Sequence, residues 1–152
     1  MQAAPMNAFL LNLGLETLHL RMRQHSANAL AAAEFFASHP GVEWVNYPGL
    51  TTDKYYPLAQ KYLPDGQAGV ISIGIKGGRE GAVRFMEKVK MAALVVHVAD
   101  ARTSVLHPAS ETHRQLTDQQ LIDCGISPEM VRVSVGIEDI EDIIADFSQA
   151  LE

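Results

Sequence analysis

Apolar positions near the start of the chain recur at three- and four-residue steps. They are Leu11, Leu15, Leu18, Met22, Ala29, Ala33 and Phe36, with His25 filling the same stripe. That is the period of a helix turning one face toward a core. Pro5 stands just ahead of it and His39-Pro40-Gly41 stops it, so the pattern predicts one long helix from Asn7 to Ser38. About 32 residues at ~1.5 Å rise reach ~48 Å, more than a small domain is wide. One end is therefore expected to pack on something outside the domain. A second apolar face (Leu10, Leu13, Thr17, Leu20) argues for packing on two sides rather than a coiled coil.

Beyond Gly41 the period shortens. Val42 to Asn46 reads as a strand and Tyr47-Pro48-Gly49 as a turn. Lys54 to Tyr62 reads as a short helix closed by Pro64-Asp65-Gly66. In Gly69 to Ile75, three isoleucines (71, 73, 75) alternate with Val70, Ser72 and Gly74, which is a strand with two unlike faces. Gly77-Gly78 leads into a helix over Arg79 to Lys88. Leu94 to Val98 and Ser104 to Leu106 read as strands, and Thr117 with Gln120 forms a capping box for a short helix ending at Cys124-Gly125. Val131 to Val135 is a strand, and Ile140, Ile143, Ile144, Phe147 and Leu151 mark a final amphipathic helix. Four or five short strands with helices between them predict an α/β protein, a two-layer sandwich with its strand order open.

Composition narrows the function classes. In 152 residues, 47% are apolar and 20% charged, with a net charge of -6. One domain is expected, burying roughly 68–70% of its unfolded surface. An acidic chain offers no electrostatic footprint for nucleic acid or an anionic membrane. The lone Cys124 has no internal disulfide partner. Met1 to Leu15 is apolar but carries neither a leading basic region nor a small-residue cleavage site, so it does not read as a signal peptide and the cytoplasm is the expectation.

Among candidate chemical groups Arg132 stands first. Val131, Val133 and Val135 share one face of their strand, while Arg132, Ser134 and Gly136 share the other. A planar cation on a strand beside small neighbours suits a bidentate clamp on a carboxylate. A solvated arginine, or one paired with a structural acid, is the competing reading. His107-Pro108-Ala109-Ser110-Glu111-Thr112-His113 holds two histidines at a spacing that matches no zinc motif, and reads as a polar loop. The Gly74 to Gly81 segment suits either a strand-to-helix turn or an anion, and is neither a Walker loop nor GxGxxG. Cys124 closes a helix and lacks the setting of a nucleophile. Trp44, Tyr55 and Tyr56 read as core or interface.

Several segments together carry a resemblance that covers essentially the whole chain in order. They are Asn7-Ala8-Phe9-Leu10-Leu11 with Gly14 to Leu18, Val42 to Leu50 (VEWVNYPGL), His107-Pro108-Ala109-Ser110, Thr112 to Leu116 (THRQL), and Val131 to Asp139 (VRVSVGIED). The chain resembles the C-terminal domain of the Cys/Met-metabolism pyridoxal-phosphate (PLP) enzymes, of fold type I. VEWVNYPGL and the HRQL after Thr112 lean toward the members that act on O-acetylhomoserine with sulfide. Methionine γ-lyases, cystathionine γ-synthases and cystathionine lyases share most of the remaining motifs.

The resemblance implies γ-replacement, in which acetate leaves Cγ and sulfide or methanethiol takes its place in methionine and cysteine biosynthesis. It implies that residues 1–38 form an interdomain helix and 42–152 a sheet-and-helix layer. Arg132 would bind the substrate α-carboxylate and Thr112 would support that contact. His97 stands where the family usually has Asn or Ser on the same carboxylate, and Ala99 stands where it has Gly. Glu111 replaces a usual Thr or Met, and a carboxylate there repels the substrate's unless it points away. The cofactor lysine and its companions belong, by resemblance, to a large domain ahead of this segment. Lys54, Lys61, Lys76, Lys88 and Lys90 sit in no matching context, so PLP is expected on that domain and the chain alone is expected to be inactive. Relatives suggest a homo-oligomer. A non-catalytic dimerisation or regulatory module is the alternative from another class.

Overall fold

The computed structural model describes residues 2–152. Met1, where the predicted N-terminal segment begins, lies outside them. The predicted long helix is two: α1 over Pro5–Glu16 and α2 over Leu18–Ser38. The interruption falls at Thr17, whose φ of -108° and ψ of 5° leave the helical basin. A break frees carbonyls at the end of α1. The Arg21 side chain reaches back to one of them, donating to the Gly14 carbonyl and to Thr17 Oγ1 (3.3 Å). Only the second half of the predicted stripe meets a core. His25, Ala29, Ala33 and Phe36 are buried on α2, whereas no residue of α1 is buried.

Five strands follow: β1 (Val42–Asn46), β2 (Val70–Ile75), β3 (Ala93–Leu94), β4 (Ser104–Leu106) and β5 (Met130–Ser134). They form one sheet in the order β1-β2-β5-β4-β3, antiparallel except for the parallel pair β3 and β4. Helices α3 (Tyr56–Tyr62), α4 (Gly78–Lys88), α5 (Asp118–Asp123) and α6 (Ile140–Leu151) complete the chain. Register explains why one face is dry. Ile71 pairs with Val133, Ile73 with Val131 and Val105 with Val133, so these side chains lie together, at most 1% exposed. They form a core with Phe36 of α2, Phe85 of α4, and Ile143 and Phe147 of α6. The two-layer α/β architecture predicted from the alternation holds.

The predicted strand over Leu94 to Val98 is shorter, Ala93–Leu94 only. The reason is local: the Val96 and His97 carbonyls accept hydrogen bonds from a side chain rather than from a neighbouring strand. The capping box is present, with Thr117 Oγ1 accepting from Gln120 N (3.3 Å) and Gln120 Oε1 accepting from Thr117 N (2.9 Å). Gly77 and Gly78, with φ of 93° and 64°, make the turn into α4, a conformation that disfavours a Cβ.

A buried polar seam joins α2 to the segment after β5. His25 donates from its ring to the Val135 carbonyl (2.7 Å), and Asn28 Nδ2 donates to the carbonyls of Gly136 (3.1 Å) and Glu138 (2.8 Å). The Glu138 carboxylate accepts from Thr103 N and Thr103 Oγ1, and Thr103 Oγ1 accepts from Gly136 N. A Cβ at Gly136 would stand 2.5 Å from the Ala101 carbonyl oxygen, so the approach requires glycine. This seam fixes the end of β5 and the start of β4.

Candidate functional site

Helices α2, α4 and α6 pack on the face of the sheet that carries Ile71, Ile73, Val131 and Val133, and the site lies on the other. Arg132 sits mid-sheet, paired across β5 with Ser72 of β2 on one side and Leu106 of β4 on the other. The period of two that buries Val131 and Val133 turns Arg132 outward, where it is half-buried. Its Nη2 donates to the carbonyls of Val96 (2.8 Å) and His97 (3.2 Å). Its Nε is buried without an acceptor. Among the described residues the ion pairs are Arg79 with Asp118 and Arg102 with Asp100, so no carboxylate answers Arg132. Burial pushes the guanidinium pKa below its ordinary value, yet the group remains a cation near neutrality. A structural ion pair, the competing reading for this residue, is therefore absent from these contacts.

His97 is brought next to Arg132, through its main chain. Its carbonyl receives Arg132 Nη2 and Ser104 Oγ (3.3 Å), and the residue is exposed. Thr112 is not brought into contact with either. It is exposed on the turn after β4, its hydroxyl bonded to His113 Nδ1 (2.9 Å). That turn is held from below. Arg79 bonds the Ala109 carbonyl (2.9 Å) and Asp118, and His107 Nε2 donates to the Pro128 carbonyl (2.8 Å). Desolvation lowers the pKa of His107, which is 1% exposed and so is no surface base. Glu111 is exposed.

Sequence reasoning put Ser134 on the face of Arg132 only as a small neighbour and passed over Ser104. They face each other across β4 and β5 on the same side as Arg132 and are both buried. Ser134 Oγ accepts from Ala99 N (3.3 Å). Among the described residues Ala99 is one of two non-glycine residues with positive φ, at 63°. Beside it an apolar hollow of about 160 Å³ opens between Leu18, Met22, Val70, Val98 and Ser134.

The arrangement offers a desolvated, directed cation without a resident anion. It offers no covalent anchor for a carbonyl cofactor. All five lysines are exposed, and none hydrogen-bonds to Arg132 or to its loop. A Schiff-base lysine works from a desolvated pocket, so the residues described do not by themselves fit PLP.

Comparison with known proteins places this geometry in a family. The model of the Cys/Met metabolism PLP-dependent enzymes matches residues 1–152, and the chain belongs to that family. It is 47% identical over 150 residues to the O-acetyl-L-homoserine sulfhydrylase of Leptospira meyeri, covering 98% of this chain and 34% of that protein. It is 49% identical over 150 residues to the homocysteine synthase of Schizosaccharomyces pombe, covering 99% of this chain and 35% of that one. A crystal structure from Campylobacter jejuni, described as a putative O-acetylhomoserine (thiol)-lyase with pyridoxyl-lysine monophosphate, superposes with a TM-score of 0.91 at 40% identity. This chain aligns over 99% of its own length and 36% of that structure. It thus spans about a third of the length of the relatives it matches.

Proposed function

We propose that this chain is the substrate-carboxylate-binding part of a PLP-dependent O-acetylhomoserine sulfhydrylase. The whole enzyme replaces the acetyl ester at Cγ with sulfide or methanethiol, acts in the cytoplasm in amino-acid biosynthesis, and assembles as a homo-oligomer. Residues 1–152 act as one domain in it, and PLP is held by the portion of the relatives' length that this chain does not span. The observation that carries the reading is Arg132: a cation on the face opposite the core, with an unmatched buried Nε and no carboxylate partner among the described residues. An amino-acid carboxylate supplies the missing charge and acceptors. In this reading His97 lines the same rim and Thr112 closes on the carboxylate once substrate is present. The names of the relatives support O-acetylhomoserine as the amino-acid substrate.

The test is a chimera in which this chain replaces the matching third of the Leptospira meyeri enzyme, assayed for homocysteine from O-acetylhomoserine and sulfide. Loss of a charge-assisted pair of about 1.5–3 kcal/mol in Arg132→Ala should raise KM for O-acetylhomoserine by roughly 10- to 150-fold. An unchanged KM removes the assignment. A second reading, a stand-alone interaction module, is favoured by α1, which exposes Met6, Phe9, Leu10, Leu11, Leu13 and Leu15. A folded, PLP-loaded chimera without turnover would favour it.

A further inference from the structure

The loop Val95 to Arg102 joins two parallel neighbours, β3 and β4, and does not follow the sheet. It is fastened at three points on the open face. Ser104 Oγ donates to the His97 carbonyl (3.3 Å), Ser134 Oγ accepts from Ala99 N (3.3 Å), and Arg132 Nη2 donates to the Val96 and His97 carbonyls. The two serines are directly paired across β4 and β5, 2% and 3% exposed, and lie two residues from Leu106 and Arg132, which form the next pair on the same face. The side chains of Val96, His97 and Val98 meanwhile point into the open, each exposed. The loop therefore touches the sheet through backbone atoms, and those atoms are the ones that hold the guanidinium.

Ala99 adds a second observation. A non-glycine residue with φ of 63° is strained, and such strain persists only where neighbours enforce it. The Ala99 N–H is held by the Ser134 hydroxyl. A simple turn with free choice of conformation would relax.

We infer that Ser104 and Ser134 are positioning residues: together they pin the Val96–Ala99 backbone so that its carbonyls hold Nη2 and orient Arg132, leaving Nη1 to the substrate carboxylate. This rests on the carboxylate-binding reading above. Neither serine touches substrate, and each acts through the loop on one arm of the cation.

The experiment is a double-mutant cycle in the PLP-loaded chimera, with Ser104→Ala, Ser134→Ala and the pair made in both the Arg132 and Arg132→Ala backgrounds. The expected result is a rise in KM for O-acetylhomoserine of about tenfold in the Arg132 background, with kcat changed much less. In the Arg132→Ala background the serine changes should add nothing, because the group they orient is gone. Ser134→Thr, which keeps a hydroxyl, should restore KM. A purely structural role would lower the melting temperature and move KM equally in both backgrounds, which overturns the inference. Serine variants with normal KM beside an impaired Arg132→Ala also overturn it while leaving the carboxylate reading intact. An Arg132→Ala enzyme with normal KM removes the reading itself. Should the double variant fail to fold, the Ser104→Ala single variant decides the same comparison.

Discussion

Asp146 gives the sharpest test of how the loop beside Arg132 is held in place. It lies on α6, 6% exposed, where a carboxylate is costly unless fully paired. Its Oδ1 accepts from Lys90 N (2.8 Å), and its Oδ2 accepts from Met91 N (3.0 Å) and Ala92 N (2.9 Å). Those three amides immediately precede β3, so the anion fixes where the chain enters the strand and the loop after it. In Asp146→Ala these three amides lose their acceptor, while Gln149 Nε2, the carboxylate's fourth donor (3.2 Å to Oδ1), keeps the Lys88 and Asp146 carbonyls. The Ala92 amide is buried and stands to lose about 2 kcal/mol, while the two half-buried amides regain water and lose about 0.5 kcal/mol each. The sum is ~3 kcal/mol, which in a chain of this size lowers Tm by about 6–12 °C. Asp146→Asn keeps one oxygen for two donors and turns an NH2 toward the third, so about half that loss is expected. Thermal unfolding of the chain measures both, and amide hydrogen exchange locates the effect. Lys90, Met91 and Ala92 should lose protection before the core strands do. A Tm that stays at the parent's value, or unchanged exchange at those three amides, refutes the claim that the carboxylate anchors this turn.

Two further outcomes follow from single residues. Burial lowers the pKa of His107, so the unfolded chain takes up its proton at a higher pH than the folded one. As pH falls below about 6.5 the unfolded state binds more protons and stability falls. Urea unfolding from slightly alkaline to mildly acidic pH should show a steeper loss for the parent than for His107→Gln, which keeps a donor for the Pro128 carbonyl; equal slopes would refute it. Ala99→Gly should relieve the left-handed strain at φ 63°. Roughly 1–2 kcal/mol of relief against 0.5–1 kcal/mol of lost chain entropy leaves a net gain of about 0.5–1 kcal/mol. Tm should rise by a few degrees, about 1–4 °C, and a fall in Tm would show that the conformation carries no strain.

What period and capping encode is legible in the order of residues alone. The alternation Val131, Arg132, Val133, Ser134 already separates a buried face from one that carries the cation, and Thr117 with Gln120 marks a helix start whose bonds form as expected. The helix break at Thr17 is not legible there. It is met by Arg21 reaching a carbonyl seven residues back, and the apolar stripe runs through it unchanged. The end of β3 is hidden for a similar reason. The β-branched run continues past Leu94 in Val95, Val96 and Val98, but Arg132 takes the carbonyls that a strand would need. Alternation puts Ser134 on the face of Arg132, but its meeting with Ser104 is a matter of strand order. The sheet places β5 between β2 and β4, and no local pattern shows that two serines so far apart in the chain stand opposite each other. Thr112 is legible as a candidate only through resemblance, and its hydroxyl rests on its own neighbour.

The open face departs from the ordinary pattern of a sheet with one wet side, which turns polar side chains toward water. Here that face mixes exposed Val70, Val96 and Val98 with buried Ser104, Ser134 and Leu106, and sets a guanidinium among them whose Nε has no acceptor. An unmatched buried donor costs about 1–3 kcal/mol, a cost the fold bears before any ligand arrives. A carboxylate docking there meets a cation already stripped of part of its water and already fixed in direction. It therefore gains more from the contact than from an arginine waving in solvent, because less ordering and desolvation remain to be done. The same reasoning makes Lys a poor substitute for Arg132, since a compact ammonium lacks the planar fork that lets one nitrogen hold the loop carbonyls while another faces an anion.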